Sequence, residues 1–342
     1  MRAALIVGLS GEILTADERA LLRDVRPAGI ILFARNCRDR DQIRQLVGAA
    51  CAAIAADDVL VLIDQEGGRV RRLRPPNWRE LPAAAAFARL RDCDRKAGER
   101  AAWLAARLTA QDLRSIGINT NCTPVLDLRI EGAHDIIGDR AYGSTPADVA
   151  SLGRAVAEGY MAGGVVPVIK HIPGHGRALA DSHFELPVVA TSRAELAAKD
   201  FESFRVLADM PAAMTAHVVY AAIDPALPGS ASARVTAEVI RGDIGFGGLL
   251  MSDDLGMKAL SGPFADRARA VIAAGSDIAL HCSGNLAEMQ AVAEGVPALA
   301  GRALDRFAAC IAVTGRNEPF DVAEAEAALA AVVALSAPPA VS

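Results

Sequence analysis

Aromatic residues are scarce in this chain, with two Trp, three Tyr and nine Phe making up 4% of 342 residues. Proteins that bind single-stranded nucleic acid stack bases on aromatic rings along a basic groove. This chain has neither ingredient: its formal net charge is −5, and no long run of either sign occurs. A nucleic-acid footprint and a basic membrane patch are therefore excluded as expectations. Cysteine is sparse and scattered at Cys37, Cys51, Cys93, Cys122, Cys282 and Cys310, with no C-x-x-C pair. That spacing suits neither a thiolate zinc site nor a disulfide framework, so reduced and mostly buried thiols are expected. No segment supplies the roughly 18 uninterrupted apolar residues that a membrane-spanning helix needs. The apolar start, Met1 to Leu9, is broken by Gly11-Glu12 and reads as a first strand rather than a signal segment. The expected compartment is the cytoplasm. Also missing are a G-x-G-x-x-G turn after a strand, a P-loop, H-E-x-x-H, H-x-H and G-x-S-x-G. Their absence removes the usual sequence marks of dinucleotide, nucleoside triphosphate, barrel-metal and serine-hydrolase sites.

What the chain does have is apolar residues, 52% of the total, collected into short runs. Eight recur, at Ala4–Leu9, Gly29–Ala34, Val59–Asp64, Ile118–Asp127, Val165–Lys170, Ala212–Val218, Gly248–Asp253 and Ser276–His281. Continuous runs, as opposed to alternation, suit parallel strands covered on both faces. Helical patterns separate most of them: Asp39–Ala55, Lys96–Ile116, Pro146–Ala162 behind a Thr145 cap, Ser192–Leu207 with a capping-box start, and Pro263–Ala274. Eight strands with interleaved helices predict an α/β fold, a single-domain TIM-like (β/α)8 barrel over residues 1–336. Residues 337–342, rich in Pro and Ala, are expected to fray. An open doubly wound sheet is the alternative, and it lacks its dinucleotide fingerprint here.

In such a barrel the C-terminal strand ends carry the chemistry. They read Asp64-Gln65-Glu66-Gly67-Gly68-Arg69 after strand three, Asp127 after strand four with His134 and Gly138-Asp139-Arg140 beyond, Lys170-His171 after strand five, His217 after six, Ser252-Asp253-Asp254 after seven and His281 after eight. Polar groups at six consecutive strand ends mark a site. Metal-assisted hydrolysis is a possible reading, since His171 and His175 have ligand-like spacing, although not on a helix. A Schiff base at Lys170 is another. Glycoside hydrolysis fits better, because it needs a carboxylate nucleophile and a separate proton donor. Asp253 or Asp254 can be the first. Asp181-Ser182-His183 offers a carboxylate and an imidazole at i, i+2, on one face of an extended segment. A carboxylate beside an imidazole fixes its tautomer and supports its protonated form. The loop from Gly174 to Ala180 carries two Gly and no packed apolar run, which predicts motion.

Lys170-His171-Ile172-Pro173-Gly174-His175-Gly176 through Asp181-Ser182-His183 resembles the signature of family 3 glycoside hydrolases of the β-N-acetylglucosaminidase type. Asp64-Gln65-Glu66-Gly67-Gly68-Arg69-Val70 and Met251-Ser252-Asp253-Asp254-Leu255-Gly256-Met257 resemble two further motifs of that family, and Leu32-Phe33-Ala34-Arg35-Asn36 and Gly138-Asp139-Arg140 add to the likeness. The resemblance implies a one-domain barrel that removes non-reducing terminal N-acetylglucosamine with retention. It implies Asp253 as nucleophile, His183 as acid/base and Asp181 as its orienting partner. Asp64, Arg72, Arg140, Lys170 and His171 are implied to hold the sugar hydroxyls and the N-acetyl group. The implied substrate is a cytoplasmic peptidoglycan fragment, N-acetylglucosamine on 1,6-anhydro-N-acetylmuramic acid with or without a stem peptide. No metal or organic cofactor, no nucleic acid, no membrane and no partner chain are implied, so a monomer is expected. A phosphorolytic relative, using phosphate in the second half-reaction, and a non-catalytic sugar-binding barrel are the remaining alternatives.

Overall fold

The computed structural model describes residues 1–180, 182 and 185–336. Eight parallel strands close a barrel in the order β1-β8-β7-β6-β5-β4-β3-β2. They are β1 (Ala3–Gly8), β2 (Pro27–Leu32), β3 (Leu60–Ile63), β4 (Thr120–Asn121), β5 (Val166–Ile172), β6 (Ala212–Thr215), β7 (Leu249–Asp254) and β8 (Ile278–His281). All eight expected runs contribute a strand. Their continuous apolar character has a direct cause: alternate residues point into the barrel and out under the helices, and both environments are dry. Ile6, Ile31, Leu62, Val168, Met214, Met251 and Leu280 fill the interior. Leu5, Val7, Ile30, Val61, Ile63, Ile169 and Leu250 pack outward. Burying each large aliphatic side chain contributes about 1.5–3 kcal/mol.

Eleven α-helices surround these strands among the described residues: α1 (Ala16–Val25), α2 (Arg40–Ile54), α3 (Ala84–Cys93), α4 (Arg95–Arg114), α5 (Pro146–Ala162), α6 (Arg193–Ala198), α7 (Asp200–Val206), α8 (Phe264–Ala273), α9 (Leu286–Glu294), α10 (Gly301–Val313) and α11 (Val322–Ser336). A π-helical stretch, Val235–Asp243, lies between β6 and β7. The Thr145 cap expected for α5 is present, accepting from the Asp148 amide at 3.3 Å, and Asp39, read as the first helical residue, instead caps α2 by accepting from the Gln42 amide at 2.9 Å. The N-terminal end of the barrel is plugged by α10, whose Phe307, Cys310 and Val313 join the interior cluster. Cys310 Sγ donates to the Pro211 carbonyl at 3.2 Å, just ahead of β6. Of the other cysteines, Cys122 and Cys282 are buried, Cys37 and Cys51 half-buried and Cys93 exposed, so burial is less general than expected. No helix among the described residues is long and apolar enough to cross a membrane.

Two expected elements differ. The fourth run pairs regularly only at Thr120–Asn121 rather than over Ile118–Asp127. Pro124 has no N–H to give to the ladder, and the chain continues beside β5 irregularly: Lys170 N donates to the Pro124 carbonyl at 3.1 Å and Leu126 N to the Lys170 carbonyl at 2.7 Å. Asp127 is thereby carried past the strand end. The helix expected over Ser192–Leu207 is two helices, α6 and α7, broken at Lys199 with φ −124° and ψ −74°. Ser192 caps the Glu195 amide at 3.3 Å. The Glu195 carboxylate, however, turns to Arg177 at 3.0 Å instead of closing a capping box.

Candidate active site

The C-terminal mouth of the barrel holds a cavity of about 430 Å³. Asp64, Arg72, Arg140, Lys170, His171 and Asp253, six of the eight residues singled out from sequence, line it. The other two, Asp181 and His183, lie outside the described residues.

One wall is a buried ionic cluster. Lys170 Nζ sits 2.8 Å from Asp64 Oδ1 and 2.6 Å from Glu66 Oε1. Arg140 grips Glu66 with two donors, Nε to Oε2 and Nη2 to Oε1, each at 2.8 Å. Arg72 Nη2 reaches Asp64 Oδ2 at 3.0 Å. Burial alone raises a carboxyl, but here Arg140 and Lys170 overcome it and push Glu66 down to about 2. Burial acts the same way on Asp64, and Lys170 and Arg72 carry it well below the carboxylate range. Burial lowers Lys170, yet Asp64 and Glu66 hold it above its ordinary value. All five groups are therefore charged at neutral pH, three positive and two negative. The loop bearing Asp64, Glu66 and Arg72 is pinned by Gln65. Its side chain accepts from the amides of Arg72 at 2.9 Å and Leu73 at 3.0 Å, and its backbone exchanges hydrogen bonds with the Asn121 side chain at 2.9 and 3.0 Å.

Asp253 and Asp254, at the end of β7, have different uses. Asp254 Oδ1 accepts from the amides of Gly256 at 3.0 Å and Cys282 at 2.9 Å, so it ties β7 to the exit of β8. The Asp253 carboxylate accepts only the Asp254 amide, at 2.8 Å, among the described residues. Burial pushes its carboxyl up, but His217, His171, that amide and Lys170 together hold it below its ordinary value. Asp253 is thus an ionised carboxylate lining the cavity, with one oxygen that accepts no hydrogen bond among the described residues.

Other expected mouth residues belong to the walls. His217 is fully buried, with Nε2 donating to the Asp254 carbonyl at 3.0 Å and Nδ1 at 2.6 Å from Ser230 Oγ. His281 is buried against Glu288 at 3.1 Å. His134 serves its own loop, accepting the Ile136 amide at 3.0 Å. His175, spaced from His171 like a metal ligand, has Nε2 3.1 Å from Ser182 Oγ, and burial together with His171 pushes it down to about 4, leaving it neutral. Among the described residues no three or more His, Cys, Asp or Glu side chains are grouped to hold a metal ion.

Two contacts from other elements hold the base of the loop after β5. Tyr220 Oη donates to the Gly174 carbonyl at 2.8 Å, and Arg177 Nε to Asp200 Oδ2 at 2.7 Å. Gly174 stands at φ +138°, which side chains rarely adopt. A Cβ on Gly176 would lie 2.2 Å from the Leu128 carbonyl oxygen. These two glycines are there for a special backbone angle and a close approach.

Residues 8–306 match the glycosyl hydrolase family 3 N terminal domain. The chain belongs to glycoside hydrolase family 3. It is 41% identical over 283 residues to a beta-hexosaminidase of Alkalilimnicola ehrlichii, covering 82% of this chain and 80% of that one. To a beta-hexosaminidase of Bordetella pertussis it is 39% identical over 287 residues, covering 83% and 81%. Its fold superposes with a TM-score of 0.86 on the crystal structure of NagZ from Neisseria gonorrhoeae in complex with N-trifluoroacetyl-D-glucosamine, at 32% identity, over 98% of this chain and 99% of that chain. The family assignment and the barrel expected from sequence are both borne out, and with them a glycoside hydrolase of the β-N-acetylhexosaminidase type.

Within this family 3 site, two carboxylates are not marked as site residues by the sequence pattern. Glu66 lies inside the Asp64–Val70 motif, but nothing in a linear pattern shows that it pairs with Arg140, 74 positions away. Asp127 reads from sequence only as a strand end. A buried carboxylate just past a proline in an apolar run was the available signal.

Proposed function

We propose that this family 3 hydrolase is a retaining exo-β-N-acetylglucosaminidase. The observation that carries the reading is Asp253: an ionised carboxylate at the end of β7 with one oxygen left for the cavity. In this mechanism Asp253 attacks the anomeric carbon and forms a glycosyl ester, while His183, oriented by Asp181, gives its proton to the departing oxygen. In the second half, His183 takes a proton from water, water attacks the anomeric carbon, and Asp253 leaves as carboxylate. Asp64, Arg72, Arg140, Lys170 and His171 hold the sugar ring and the N-acetyl group. Their charged side chains offer directional hydrogen bonds to a polyhydroxylated ligand. The substrate proposed is a peptidoglycan fragment, N-acetylglucosamine on 1,6-anhydro-N-acetylmuramic acid, processed in the cytoplasm during cell-wall recycling. The proposed unit is a monomer whose catalytic barrel spans residues 1–336.

A fluorinated N-acetylglucosaminyl fluoride tests the reading. It should inactivate the enzyme and label a peptide containing Asp253. Anomeric inversion, or a label on another carboxylate, overturns it. A second reading, phosphorolysis, draws on the positive balance of the ionic cluster, which would favour an incoming phosphate. Phosphate-dependent turnover with a sugar 1-phosphate product would establish it in place of hydrolysis.

A further inference from the structure

Asp127 is absent from the cavity wall, yet its carboxylate is wholly shielded from solvent. A carboxylate placed there needs donors, because burying it unpaired is costly. It has them from a single neighbouring segment. Oδ1 accepts the His175 amide at 2.6 Å, both oxygens lie 3.3 Å from the His171 amide, and Oδ2 is 2.6 Å from His171 Nδ1. Burial raises its carboxyl, but His171 and His175 more than offset this and hold it below its ordinary value. An ionised carboxylate only accepts, so His171 Nδ1 must carry a proton. The other ring nitrogen, Nε2, has no partner among the described residues, on a side chain that lines the cavity.

We infer that Asp127 is a positioning residue: it fixes the tautomer of His171, so that Nε2 is the atom offered to substrate, and it holds the start of the loop running on towards Asp181 and His183. The inference rests on the reading of His171 as a sugar-binding residue. Its local cause lies in the irregular exit of β4. Pro124 releases the chain from the ladder, and the next three residues bring Asp127 beneath the backbone of His171 and His175. An Asn at this position keeps the shape but reverses part of the pattern. Its oxygen still accepts the His175 amide, while its NH2 faces Nδ1 and forces that nitrogen to become an acceptor. The proton moves to Nε2.

Nitrogen-15 NMR of histidine-labelled protein tests this directly. In the wild type, the His171 Nδ1 signal should show an attached proton across neutral pH. In Asp127→Asn, protonation should switch to Nε2, with kcat/KM on an aryl N-acetylglucosaminide falling roughly 10- to 100-fold as the cavity-facing hydrogen bond is lost. A wild-type spectrum with the proton on Nε2 alone overturns the inference without any variant. So does an Asp127→Asn enzyme that keeps the wild-type tautomer and kcat/KM. His171→Ala separates this inference from the functional reading. If His171→Ala retains wild-type kcat/KM, His171 does not hold substrate and that part of the proposed function fails, whereas the tautomer measurement still decides the role of Asp127.

Discussion

Replacing Glu66 by Gln probes the ionic wall of the site with little change of shape. The carboxylate is held at 2.8 Å by two Arg140 donors and at 2.6 Å by Lys170. Its side chain is only 6% exposed, so solvent screens these contacts little. Folding lowers its pKa from an ordinary 4.5 to about 2, burial opposing and Arg140 and Lys170 prevailing. That difference corresponds to about 3 kcal/mol of stability, in line with the roughly 3–5 kcal/mol expected when one partner of a buried ion pair is removed. Because the folded value is the lower one, the contribution is complete above about pH 4.5 and is lost as pH falls through about 2. Urea unfolding followed by far-UV circular dichroism should therefore show a gap of about 3 kcal/mol between wild type and Glu66→Gln at pH 7. By pH 3.5 roughly 1.4 kcal/mol of that gap should be gone, as Glu66 is taken up as acid in the unfolded wild-type chain. A gap below about 1 kcal/mol at pH 7, the range of a surface pair, would refute the account of the wall. So would a gap that stays constant between pH 7 and pH 3.5.

Three further outcomes are expected. Asp253→Asn should lose essentially all turnover of an aryl N-acetylglucosaminide while keeping its unfolding midpoint, and near-normal turnover would remove Asp253 as nucleophile. His183→Ala should slow substrates with poor leaving groups far more than activated aryl glycosides, since only the former need a proton; equal losses in kcat would count against it as the acid. At the other end of the barrel, Asp277 accepts from the Leu250 amide at 2.9 Å, Arg241 at 3.0 Å and Arg306 at 2.8 Å. Asp277→Ala strands all three donors and should cost about 3–5 kcal/mol of stability with KM unchanged, measured by urea unfolding beside steady-state kinetics.

The motifs that point to the site are local. Asp64-Gln65-Glu66, Lys170-His171 and Asp253-Asp254 each sit at the end of an apolar run, so the alternation of strand and polar terminus announces them before any folding is known. Element bounds depart from the sequence pattern where the local backbone is irregular. Pro124 cuts the fourth strand short, and the helical pattern over Ser192–Leu207 breaks at Lys199. In the loop after β5, whose glycines suggest motion, Tyr220 bonds the Gly174 carbonyl and Arg177 reaches Asp200 on α7.

By itself the sequence determined the architecture and the site's address. Strands buried on both faces must be continuously apolar, helices need caps and one apolar face, and polar groups then collect where the strands run out. Tertiary structure alone decided who meets whom. Closing the barrel brings Lys170 to Asp64, 106 positions away, and His171 to Asp127, 44 positions away. It separates the neighbours Asp253 and Asp254 into a carboxylate open to the cavity and one consumed by backbone amides. Ionisation and tautomer depend on burial and on distances of about 3 Å, and those exist only once the eight strands have closed.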